Sequence, residues 1–228
     1  MKKLIVSLIC SFLVILGFGS SLAPTVEAAP VKVVTKYYKH HNNLPYPYLH
    51  SGYTTLVRGK VNHTIAGHMY LAYLKEQRIE AQERRDKQTR WCKEHPSFCN
   101  YSFNTAYKIK NTHSKYFTVQ MYDFAYTGGA HGNGVTKLYN FNVRTGNNVT
   151  ITHVLDTKSK INKVHHYAYN YMKDRDRFNI DHPSDFKINK NTQFYFVHGG
   201  IRLVFQEYEV GPYALGFQEV FIPAWVYR

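Results

Sequence analysis

The stretch that decides the fold is YSFNTAYKIKNTHSKYFTVQMYDFAY, Tyr101 to Tyr126. Before it, apolar residues recur at helical spacing; from Tyr101 the period drops to two. Tyr101-Ser102-Phe103-Asn104 opens a strand reaching Ile109. Asn111-Thr112-His113-Ser114 has turn chemistry, and Tyr116 to Tyr122 continues as a partner strand, so 101–126 reads as a β-hairpin. Such a hairpin needs a second layer to bury its apolar face. The segment on its N-terminal side supplies one. Val57, Val61, Ile65, Met69 and Tyr73 stand four apart, and Thr54 or Thr55 can cap the helix they define. Opposite charges three to four apart in Lys75-Glu76-Gln77-Arg78 and Glu83-Arg84-Arg85-Asp86-Lys87 give it a solvated end near Asp86.

Further out, Pro30, Pro45 and Pro47 mark 30–52 as extended or strand-edge backbone, because proline lacks a donor and biases its predecessor away from helix. Gly128-Gly129-Ala130-His131-Gly132 reads as a loop, Val135 to Val143 as a strand, and Ser159 to about Arg175 as a helix. Gln193 to Val197 and Ile201 to Val210 read as a hairpin around Gly199-Gly200, and Phe217 to Tyr227 as a closing strand. The fold class expected is α+β: antiparallel sheets with a few helices packed on one face. Two small units, 29–126 and 127–228, form one compact body.

The composition agrees with a folded chain: 228 residues, 44% hydrophobic and 19% charged. Three cysteines are too few for a disulfide-built miniprotein, and 20 tyrosines with 14 phenylalanines suit strands. The first residues read as an address. Lys2 and Lys3 precede an apolar run from Leu4 to Phe18, and Val26-Glu27-Ala28 offers the small residues of a signal-peptidase site. Cleavage after Ala28 is expected, giving 1–28 as signal peptide. An uncleaved anchor is the alternative, but the run is shorter than the roughly 20 residues a span needs. Cys10 lies within the run rather than at its end, which argues against a lipoprotein. With no second apolar stretch of membrane length, the mature chain is expected to be soluble, secreted or wall-associated, and without an integral span.

Losing two lysines and one glutamate takes the net charge from +14 to +13. That excludes an acidic surface protein and favours polyanions such as teichoic acid as partners; export argues against nucleic acid. The remaining cysteines, Cys92 and Cys99, read as a disulfide closing a loop around His95-Pro96. A metal site with His95 is the alternative, but the spacing matches no common zinc motif.

Two segments carry a resemblance. One is Tyr126-Thr127-Gly128-Gly129-Ala130-His131-Gly132 with Leu138 to Val143 and Thr145-Gly146. The other is Leu203 to Gly216 with Ile222-Pro223. Together they resemble the RsiV-type C-terminal domain of unknown function, DUF3298. Tyr46-Pro47 and the helix around Val61-Asn62 are similar to the deacetylase PdaC-like N-terminal domain, DUF4163, that usually precedes it. The resemblance implies a pair of α+β units outside Gram-positive cells. Some members sense lysozyme as part of membrane-bound anti-sigma factors; others stand before a polysaccharide deacetylase domain. This chain has neither an internal span nor the paired-aspartate and His-x-x-x-His motifs of the deacetylase, so what carries over is the extracellular module.

For the glycine loop two readings stand. His131 serves as base or ligand, or Gly128, Gly129 and Gly132 supply torsions and His131 satisfies a buried acceptor; the second is preferred, making the loop a scaffold. Pro212 and Tyr213, with Glu207, Glu209 and Glu219 flanking, are the candidate partner-binding residues, since tyrosine gives large contact area at low entropy cost. Glu207 and Glu209 alternate on the strand read there and would share a face. Common animal lysozymes are strongly basic, so a partner of that kind needs an acidic patch; these three glutamates with Asp123 are expected to form it. A glycosidase pair among them is weighed and set aside. His-Glu-x-x-His and Gly-x-Ser-x-Gly are absent. No catalytic residue, metal site or cofactor is therefore assigned. The expectation is a secreted, noncatalytic cell-envelope protein that recognises lysozyme or wall glycan (peptidoglycan). The alternatives are a peptidoglycan deacetylase or hydrolase using His131, and an electrostatic binder of anionic wall polymers.

Overall fold

The structure, a computed structural model, describes residues 30–110 and 114–228. The leader reading, and Asn111 to His113 of the hairpin turn, lie outside the described residues. Three antiparallel sheets are present. The first is a hairpin of β1 (Lys32–Tyr37) and β2 (Pro45–Ser51). Pro45 and Pro47 lack N–H groups, and α1 takes over what β2 still offers. The Asn62 amide accepts from Leu49 N at 2.8 Å and donates to Leu49 O at 3.0 Å.

Helix α1 (Thr55–Asp86) begins where Thr54 Oγ1 accepts from Val57 N at 3.3 Å. Its buried residues, Val57, Val61, Ile65, Met69, Ala72, Glu76 and Ile79, follow steps of three and four. They close on the middle sheet of β3 (Ser102–Ile109), β4 (Tyr116–Tyr126) and β5 (Asn133–Asn142), where Phe103, Phe117, Val119, Met121 and Phe141 form the other wall. Each such ring or branched side chain contributes roughly 1.5–3 kcal/mol. Polar contacts also join the helix to its surroundings, among them His68 Nε2 to Asp123 Oδ1 at 3.0 Å and His41 Nδ1 to Glu76 Oε2 at 2.9 Å. Beyond α1, α2 (Arg90–Glu94) and the Pro96–Cys99 turn are joined by the Cys92–Cys99 disulfide.

The second core gathers α3 (Ile151–Val154), α4 (Lys158–Met172) and the sheet of β6 (Gln193–Val197), β7 (Gly200–Val204) and β8 (Glu219–Pro223). Two elements are shorter than their sequence reading. The strand expected over 201–210 stops at Val204, because Gln206 to Glu209 folds into a turn: Glu209 N donates to Gln206 O at 3.1 Å, and Gln206 N to Glu209 Oε2 at 2.7 Å. Glu207 and Glu209 therefore do not alternate along one strand. The closing strand expected over 217–227 is confined to Glu219–Pro223, after which Pro223 leads into a 3-10 turn, Ala224–Val226.

β4 and β5 pair across Thr127, where the two units meet in the sequence reading, and Phe141 of β5 lies in the first core. The outer edge of β5 meets side chains instead of a strand. Gly134 N donates to Glu207 Oε2 (2.7 Å), Thr136 N to Gln206 Oε1 (2.9 Å), Leu138 N to Gln193 Oε1 (2.8 Å) and Asn140 N to Asn148 Oδ1 (2.9 Å). These alternate residues point their N–H groups away from β4, so every one would be an orphan without its acceptor. Three of the four acceptors, Glu207, Gln206 and Gln193, come from the part of the chain that follows α4. Around them Thr118, Gln120, Thr136, Asn140 and Gln193 are buried, and Tyr116 stacks on Phe196 with centroids 3.7 Å apart. The two cores are thus joined by an amide seam flanked by aromatic contacts, in which Gln120 Nε2 donates to Thr136 Oγ1 at 3.0 Å while Gln120 Oε1 is buried without a protein partner.

Candidate recognition ledge

The seam brings the two loops singled out by sequence into contact. In the first, Gly128 and Gly129 have φ of +92° and +93°, a region that disfavours other residues. Gly132 has a different reason: a Cβ there would come within 2.3 Å of Phe124 Cζ. The loop also rests on the disulfide turn, since a Cβ on Gly128 would sit 3.0 Å from Phe98 O. His131 is held at the tip. Its Nδ1 lies 2.8 Å from Gly132 O, so this nitrogen carries the proton and donates. Its Nε2 lies 3.1 Å from the Tyr208 hydroxyl.

The second loop supplies the rings. Tyr213 stacks on His131 with centroids 3.9 Å apart and planes 17° apart, and Tyr208 stacks on Tyr213 at 5.5 Å. Pro212 precedes the 3-10 turn Tyr213–Leu215 and accepts from Leu215 N at 3.1 Å. Tyr208 is held at φ +65°, a left-handed conformation costing a side-chain-bearing residue about 1–2 kcal/mol. It is nonetheless 60% exposed, and Leu215 is 47% exposed. The result is an outward ledge of Tyr208, His131, Tyr213, Pro212 and Leu215. Burial, then the charge of Glu207, raises the Tyr213 hydroxyl above its ordinary value, so it stays a neutral donor.

The candidate carboxylates divide. Glu207 accepts from Gly134 N and Glu209 from Gln206 N, both within the turn that carries Tyr208. Glu219 is committed elsewhere: Oε1 meets Lys110 Nζ at 3.2 Å and Oε2 accepts from Tyr195 OH at 2.7 Å. Asp123 is paired with His68. The acidic patch expected from four residues therefore reduces to Glu207 and Glu209. Burial raises the Glu209 carboxyl, against the lowering effect of the Gln206 amide. No Lys or Arg lies between Arg202 and Arg228, and residues 124–136 carry no Asp, Glu, Lys or Arg. On a strongly basic chain, the loops themselves carry no Lys or Arg, and the charges within them are those of Glu207 and Glu209.

Among the described residues, the His131 nitrogens meet the Gly132 carbonyl and the Tyr208 hydroxyl and neither meets a carboxylate. Among the described residues, no three of His, Cys, Asp and Glu converge as a metal set. No described helix is long and apolar enough to cross a membrane. The sequence reading missed Tyr208, whose left-handed backbone has no glycine or asparagine to signal it.

Comparison with known proteins gives two family matches. Residues 32–134 match the family model described as deacetylase PdaC, and 154–224 match that described as protein of unknown function DUF3298. A search of curated proteins finds no match. Among solved structures, a DUF3298 family member from Bacteroides fragilis is similar at 15% identity and TM-score 0.56, covering 85% of this chain and 88% of that one. A DUF3298 family protein from Pseudomonas aeruginosa is similar at 14% identity and TM-score 0.52, covering 86% and 91%. The chain thus carries a segment similar to PdaC followed by one similar to DUF3298, in a fold similar to that of the two solved DUF3298 proteins.

Proposed function

We propose that this chain is an exported, noncatalytic recognition module of the bacterial cell envelope, and that it captures a basic protein, lysozyme foremost, on the ledge. The single observation that carries this reading is Tyr208. A tyrosine held in a left-handed conformation, exposed, and stacked into His131 and Tyr213 costs stability without filling a core. Pre-ordered exposed rings are what an interface hot spot requires. Glu207 and Glu209 supply local negative charge on a chain whose overall charge would repel a basic partner. The leader-like start, the intramolecular disulfide and the two family matches support an envelope setting.

Calorimetric titration with lysozyme tests the reading. The expected result is one-to-one binding at micromolar affinity or tighter, weakened at least about tenfold by Tyr213→Ala. No heat at tens of micromolar, or equal binding by that variant, overturns it.

A further inference from the structure

Helix α4 carries two stripes. Val164, Ala168 and Met172 are buried in the second core. A second stripe, running from Lys163 through His166, Tyr167, Asn170 and Tyr171 to Arg175 just past the helix end, lines a groove of about 640 Å³ against the Ala224–Val226 turn. That volume suits one or two sugar rings and lies within the range of small-molecule sites. Trp225 forms the far wall, 74% exposed, with Tyr167 edge-on to it at 5.8 Å and 83°. The Arg175 guanidinium lies 3.9 Å over the Tyr171 ring and donates to Tyr171 O, which fixes its fork at one end of the groove. Asn170 Nδ2 lies 2.9 Å from His166 Nε2 along the floor. No acidic residue lines the groove, and neither Lys163 nor Arg175 forms an ion pair among the described residues.

We propose that this groove binds an acidic saccharide, a glycan unit that lays a ring face on Trp225 and presents its carboxylate to Arg175 and Lys163. Three features argue for sugar over other anions. An exposed indole with flanking tyrosines offers flat apolar surface to the C–H face of a pyranose. The amide and imidazole between the cations can exchange hydrogen bonds with hydroxyl groups. Two unneutralised cations beside the rings complement a carboxylate, and the pinned guanidinium can accept it bidentately. The site lies on different elements from the ledge and does not depend on the reading given there.

The probe is a hexamer of galacturonic acid, titrated calorimetrically at low salt. Two further ligands are compared: the neutral galactose hexamer and hexaglutamate. The uronate is expected to bind at least tenfold more tightly than either. Trp225→Ala should weaken it at least tenfold, Trp225→Phe less, and Arg175→Gln more than the remote Arg144→Gln. All variants should keep the wild-type circular dichroism and melting curve, because the substituted side chains are exposed. Equal binding of hexaglutamate overturns the proposal in favour of plain electrostatics or an acidic peptide. Unchanged uronate binding by Trp225→Ala, or equal losses from Arg175→Gln and Arg144→Gln, also overturns it. Lysozyme binding by Trp225→Ala is expected to be unaffected, so failure here and failure at the ledge are read separately.

Discussion

The ledge and the α4 groove are both aromatic surfaces, yet they are built in opposite ways. The ledge stands outward on two loops that meet where the seam along β5 docks the second core against the middle sheet; its nearby charges are Glu207 and Glu209. The groove is an open trough between α4 and the Ala224–Val226 turn, bordered by Lys163 and Arg175. The difference teaches where each site's vulnerability lies. Disturbing the unit interface should dismantle the ledge and spare the groove, whereas point changes on α4 should do the reverse.

The largest effect is expected from the seam. Gln193→Leu combined with Gln206→Leu leaves the β5 amides of Leu138 and Thr136 without acceptors. Each orphaned group costs about 1–3 kcal/mol. Chemical denaturation should show a loss of several kcal/mol, and hydrogen exchange at these two amides should accelerate. Lysozyme binding should fall while uronate binding survives under conditions where the second unit stays folded. Next comes the disulfide. Replacing Cys92 and Cys99 by alanine opens a short loop, worth about 2 kcal/mol in the chain-entropy model. Because Gly128 rests on Phe98 O, affinity at the ledge should drop as well, and groove affinity should not.

Smaller effects separate the ledge's rings from its backbone. Tyr208→Gly removes a strained backbone along with a ring, so stability should hold or rise by about 1 kcal/mol while lysozyme affinity falls. The smallest effect is on pH dependence. A raised Glu209 carboxyl takes up its proton at higher pH than an ordinary glutamate. Attraction to a basic partner should therefore weaken earlier on acidification, and Glu209→Gln should remove that early part of the decline, as titrations at successive pH values will read.

Much of this was legible in the sequence, for definite reasons. The steps from Val57 to Ile79 and the alternation of 102–109 are local periodicities imposed by burial on one face, so α1 and the β3–β4 hairpin follow from residue order. The disulfide followed from two close cysteines behind a leader-like start. The turn at Gln206 to Glu209 was not legible, because Glu209 closes it with a side chain and Tyr208 bears the positive φ. Nor was the commitment of Glu207 to β5 and of Glu219 to Lys110 and Tyr195, both pairings across long sequence separations. The α4 helix was legible from Ser159 to about Arg175, but its groove-lining stripe was not. Its meaning depended on Trp225, whose segment reads as strand by residue type but turns out of the sheet after Pro223.

The most direct test of the account is a hydrogen-exchange footprint of the full mature chain, with and without lysozyme. Added protection is predicted over residues 128–134 and 206–216, with none along 163–175. Protection centred on α4, or no change at either ledge loop under saturating lysozyme, would contradict it.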